Sequence, residues 1–143
     1  GMAYDTNNIF AKILRGEAPS FKVYEDDKTY VMMDIMPQTF GHTLVLTKEP
    51  AINLFDLSDD AAQACVITAK KIAPAIMKVT QADGIVLSQF NGAAAGQTVD
   101  HVHFHLVPRY EGQNLHAHAR VKGDMEAIKS LADKIIAAID ELN

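Results

Sequence analysis

The spacing of apolar positions divides the 143-residue chain into two kinds of element. Short alternating runs predict strands, and stripes at three- and four-residue intervals predict helices. Ile9, Phe10, Ile13 and Leu14 form a stripe on a short helix, capped by Thr6 or Asn7 and ended by Gly16. Phe21–Glu25 and Thr29–Met33 flank Asp26-Asp27-Lys28 as a hairpin, and Gly41–Thr47 supplies a third strand. Ser58 before Asp59 and Asp60 starts a long helix that reaches Thr80, with Ala61, Ala64, Cys65, Thr68, Ile72, Ile76 and Val79 on one face. Pro74 should kink or divide that helix. Asp83-Gly84 turns into a strand over Ile85–Phe90, and a further strand over Val102–Val107 should end at Pro108, which cannot donate to a ladder. Asp124 caps a last helix through Leu142, with Met125, Ile128, Leu131, Ile135, Ile136 and Ile139 as its apolar face. This order predicts an α+β fold: an antiparallel sheet of about five strands with helices packed on one face.

Composition narrows the picture only modestly. The length fits one domain over residues 1–143, with Gly1 ahead of Met2 reading as a scar of tag removal. A net charge of −5 argues against nucleic-acid binding, which needs a basic surface. The single cysteine, Cys65, permits no internal disulfide and suggests a reducing, cytoplasmic setting; inside a helical stripe it reads as a small core residue. No apolar run approaches ~20 residues, so no membrane span is expected.

The chemistry concentrates in His101-Val102-His103-Phe104-His105. On an extended strand these histidines share one face, while Val102, Phe104 and Leu106 enter a core on the other. Solvated polar residues, a transition-metal site and nucleophilic catalysis are the three readings of such a face. The preceding loop, Asn91-Gly92-Ala93-Ala94-Ala95-Gly96-Gln97-Thr98, favours the last. Small residues let backbone N–H groups approach an anion, and Gln97 and Thr98 add an amide and a hydroxyl beside the first histidine. Neutral imidazole has an ordinary pKa of about 6.5, so near pH 7 much of it is already a nucleophile.

Gly96-Gln97-Thr98-Val99, the alternating histidines and Pro108-Arg109 together closely resemble the histidine triad (HIT) family of nucleotide hydrolases and transferases. The resemblance implies the HIT fold and a purine nucleotide or nucleotide conjugate as ligand, in a site needing no cofactor. Ile9, Phe10 and Ile13 would wall the base, with Ile35 and Met32 beside it, and Asp34 would bond the ribose hydroxyls. His103 would attack the α-phosphorus to form a nucleotidyl-histidine that water then hydrolyses. His101 and His105 would orient and stabilise, His42 would support them, and Gly96, Gln97 and Thr98 would hold the phosphate. Asn91 would contribute a phosphate or ribose contact. Phe90 departs from the pattern, since relatives often carry a polar amide there. Many bacterial relatives have two cysteines that help hold zinc, but here Asn8 and Ala11 take their places and Pro50 replaces a later histidine. No structural zinc is therefore expected.

The resemblance also implies a two-fold homodimer. It leaves open phosphoramidate hydrolysis, dinucleoside polyphosphate cleavage, and a nucleotide-binding module with vestigial hydrolysis. Nucleotidyl transfer is a nearer variant whose members often lack the last histidine, which is present here as His105. His116 and His118 in the polar stretch Arg109–Gly123 are read as solvated, and that stretch as shaping the leaving-group side.

Overall fold

A computed structural model describes residues 3–114 and 122–143; His116 and His118 lie outside them. The elements in chain order are α1 (Ile9–Leu14), β1 (Lys22–Glu25), β2 (Thr29–Met33), β3 (Thr43–Thr47), α2 (Asp59–Thr80), β4 (Gly84–Ser88), β5 (His103–Arg109) and α3 (Met125–Leu142). The strands form one antiparallel sheet in the order β1-β2-β3-β5-β4, the five-stranded α+β arrangement read from the sequence.

Each helix begins where a side-chain oxygen can take up an orphan N–H. Ser58 accepts from Ala61 N–H at the start of α2, and Asp124 accepts from Glu126 and Ala127 at the start of α3. At α1 the cap is Asn8, not Thr6 or Asn7, because its Oδ1 accepts from Ala11 N–H at 2.9 Å. Pro74 does not divide α2, which is one element through Thr80. The carbonyl that it deprives of a donor belongs to Lys70, on the exposed side of the helix, where it is not left in the core.

Pro108 does not end β5 either. The ladder continues with Ile85 opposite Pro108 and Gly84 opposite Arg109. Pairing with β3 stops earlier, at Leu106 opposite Thr43, and the Pro108 carbonyl accepts from Thr39 Oγ1 at 2.6 Å. Residue 108 thus presents its backbone edge away from β4, where a missing N–H breaks no ladder bond.

Helices α2 and α3 cover one face of the sheet. Ile72 and Ile76 of α2 and Leu131 and Ile135 of α3 share a core with Val31, Val45, Val102, Phe104 and Leu106. Cys65 is fully buried there, and burial pushes its thiol pKa up to about 12. The opposite face is covered over part of its width by α1, whose Phe10 and Ile13 pack on Met32, Leu44 and Leu46. Among the described residues, no helix is long and apolar enough to cross a membrane.

Candidate active site

Strand register decides which side chains meet. His103 pairs with Leu46 and His105 with Leu44, so these histidines share the sheet face that carries Phe10 and Ile13, while Val102, Phe104 and Leu106 point into the helix-covered core. The His103 and His105 rings stand 4.9 Å apart. His101 precedes β5 instead of lying on it, yet it is as buried as the others. His42 comes from the loop between β2 and β3. It is reached through Gly41, whose φ of +95° and closeness to Thr80 (2.7 Å from an added Cβ) leave no place for a side chain.

The hydrogen bonds fix which nitrogen of each neutral ring carries its proton. A carbonyl can only accept, so His103 Nδ1, 2.6 Å from the His101 carbonyl, bears the hydrogen, and the lone pair is on Nε2. His101 Nε2–H donates to the Thr47 carbonyl at 2.7 Å, and its Nδ1 accepts from the Tyr4 hydroxyl at 2.6 Å. Burial holds the His101 pKa below the ordinary histidine value, with the Thr47 bond opposing. In His42, Nδ1 accepts from Gln38 N–H at 3.0 Å, so Nε2 carries the hydrogen and donates to His105 Nδ1 at 2.9 Å. His105 is left with its N–H at Nε2. One ring thus presents a lone pair and its neighbour a donor, a combination suited to attack on phosphorus beside a stabilised charge.

A cleft of about 370 Å³ opens on this face. Its walls include Ile9, Phe10, Ile13, Met32 and Ile35, with Asp34, Thr98 and His103 as polar members, so these eight predicted residues meet at one cavity. No Lys or Arg is among the described residues lining it. Phe10 meets the His103 ring edge-on at 4.8 Å, which joins the apolar wall to the histidines. Asp34 is buried; its Oδ1 accepts from Met36 N–H at 2.8 Å and its Oδ2 stands 3.5 Å from His42 Nε2.

Gln97 departs from its expected role. Both amide hydrogens are spent, on the Ile52 carbonyl (2.6 Å) and the Val99 carbonyl (3.0 Å), while its oxygen accepts from Gly92 N–H. It therefore ties the small-residue loop in place and does not donate to a phosphoryl group. Asn91 likewise bonds Leu54 N–H and the Gln89 amide, and it does not line the cleft. Gly96 takes φ +98°, and an added Cβ would sit 3.7 Å from Phe90. Conformation, not space, demands glycine there.

Two features had little sequence signal. Tyr4 reaches His101 across 97 positions of chain, and nothing in its local pattern marks it. The ends of the polar tail also return to the loop that carries Asp34: Tyr110 Oη donates to the Phe40 carbonyl and Gly123 N–H to the Ile35 carbonyl.

The donor set does not fit the zinc site of cysteine-bearing relatives. Asn8 Oδ1 is committed to the α1 cap, Ala11 and Pro50 offer no side-chain ligand, and both His101 nitrogens are bonded. The alternating histidines do not converge on a common point either. Among the described residues, Asp34, His42 and His105 bring ligand-type atoms within 4.8 Å, but the 2.9 Å between the two imidazole nitrogens is that of a shared hydrogen.

The HIT domain family profile matches residues 15–112. An adenosine 5′-monophosphoramidase of Candida albicans is 38% identical over 112 residues, covering 76% of this chain and 74% of that protein. The crystal structure of a HIT-like protein from Bartonella henselae is 48% identical, with a TM-score of 0.88 over 95% of this chain and 99% of that one. A zinc-bound histidine triad protein from Mycobacterium smegmatis is 32% identical, with a TM-score of 0.85 and 96% of each chain covered. With this profile match and these relatives beside the site geometry, the chain belongs to the histidine triad family.

Proposed function

We propose that this protein hydrolyses a purine nucleoside phosphoramidate, or a related nucleotide conjugate, at the α-phosphorus through a nucleotidyl-His103 intermediate. The observation that carries the reading is the His103 Nδ1–H bond to the His101 carbonyl, which places the lone pair on Nε2 of a residue that lines the cleft. The base lies against Ile9, Phe10, Ile13, Met32 and Ile35, and the ribose meets Asp34. The phosphate sits over His103 beside Thr98. His103 Nε2 forms a bond to phosphorus as the P–N bond breaks, and the leaving nitrogen keeps the electron pair and takes up one proton. His105 Nε2–H bonds the charge that develops, held in that tautomer by His42. Water then attacks phosphorus, the Nε2–P bond breaks, and one proton returns to solvent. The name of the Candida relative supports this chemistry.

Intact-protein mass spectrometry after acid quench, with an adenosine phosphoramidate as substrate, tests the intermediate. One adenylyl group should add to the wild type and not to His103→Ala. Turnover with no adduct would mean direct attack by water. The same reading includes a two-fold homodimer, supported by Phe55, Ile67, Val86 and Leu87, all exposed on or near α2 and β4. Light scattering that reports a monomer at micromolar concentration would remove that part.

A further inference from the structure

We propose that Phe90 sets the leaving-group preference of this site by making the side of the histidine pair opposite the base cleft apolar. Conjugates that release a ring-bearing amine such as benzylamine then turn over faster than those that release a bare ammonia or a phosphate chain. This rests on the hydrolase reading above.

Four rings stand in a row along this face. Phe10 is 4.8 Å from His103, His103 is 4.9 Å from His105, and His105 is 5.0 Å from Phe90. The apolar cleft lies at the Phe10 end of the row. Two substituents diverge from a phosphorus seated on His103, the nucleoside and the leaving group. In this proposal the nucleoside occupies the Phe10 end, and the leaving group, expelled opposite the attacking Nε2, extends past His105 toward Phe90.

Phe90 is well held for that task. Its ring tilts 38° to the His105 ring, and the Gly96 backbone backs it, since an added Cβ there would stand 3.7 Å away. The residue is only half-buried, so part of the ring remains available to a ligand. A phenyl ring offers no donor to a phosphate oxygen but stacks well on another ring. The Phe90 end of the site thus favours an aromatic substituent on the departing nitrogen.

The test uses the full chain and three substrates: the benzylamine conjugate of adenosine 5′-phosphate, the unsubstituted phosphoramidate, and diadenosine tetraphosphate. The wild type should show its highest kcat/KM on the benzylamine conjugate. Phe90→Asn should lower the ratio of benzylamine conjugate to unsubstituted phosphoramidate by about three- to tenfold, the range expected for loss of one ring contact. Phe90→Tyr should keep that ratio within about twofold. A merely structural role would depress all three substrates by a common factor, and that result overturns the proposal, as would a wild type that prefers the tetraphosphate. If the wild type cleaves none of the three, the hydrolase reading itself fails, and the preference falls with it.

Discussion

The two faces of the sheet are buried to similar degrees but held by different forces. On the helix-covered face Val31, Val45, Val102 and Ile135 have lost all contact with solvent. On the other face His42, His101 and His105 are almost as deeply buried, at 0–2% exposure. An apolar side chain needs only volume filled around it, whereas a buried imidazole costs stability unless each nitrogen finds a partner. The first face is therefore specified by size and pattern. The second is specified by the positions of a few backbone groups: the carbonyls of Thr47 and His101 and the N–H of Gln38. In the proposed function, stability and chemistry fall to the two sides of the same strands.

Substitutions on each side should separate these roles. His103→Ala carries the largest effect: turnover of an adenosine phosphoramidate should fall by about 10⁴-fold or more, while the melting temperature stays within a few degrees. A variant with wild-type turnover would break the assignment of chemistry to this face. Ile72→Ala, in the centre of the opposite core, should cost about 2–5 kcal/mol in urea unfolding and leave the rate per folded molecule unchanged. A selective loss of activity there would show that the two faces are not independent.

Tyr4→Phe removes one partner of a buried histidine and nothing else. It should cost about 1 kcal/mol, with the loss absent in a His101→Phe background, where no imidazole nitrogen remains to be satisfied. Additive losses in the double variant would sever the link between Tyr4 and His101.

The smallest effect is on pH dependence. The folded His101 pKa lies below its unfolded value of about 6.5, so its contribution to stability is fully present above that value. As the pH falls below about 6.5 the unfolded chain binds a proton that the native ring does not, and stability declines until the folded pKa is passed. Urea midpoints between pH 7.5 and 5 should fall less steeply in His101→Gln than in the wild type. Equal slopes would place the acid sensitivity elsewhere.

Much of this division was legible in the sequence. The existence and order of the strands and long helices, the Ser58 and Asp124 caps and the separation of Val102, Phe104 and Leu106 from the histidines follow from local periodicity and capping chemistry. These depend on residues a few positions apart, which one sequence displays directly. The alternating histidines beside a small-residue loop also announced a chemical face and its likeness to a family. The spacing alone did not rank the three histidines.

The tautomers that distinguish them came partly from distant partners, Thr47 and Tyr4 for His101 and His42 for His105, and for His103 from the His101 carbonyl two residues away. Gln97 is the converse case. It looked like a phosphate donor beside the histidines, but the Ile52 carbonyl, 45 positions away, takes one of its hydrogens. Pro108 likewise read as a strand end until its carbonyl was seen to face Thr39 and not β4. The sequence by itself determined which elements form and which face carries the imidazoles, because those depend on local geometry. Only the tertiary structure decided which nitrogen holds each proton, because a tautomer is set by whichever donor or acceptor the folded chain brings within hydrogen-bond reach.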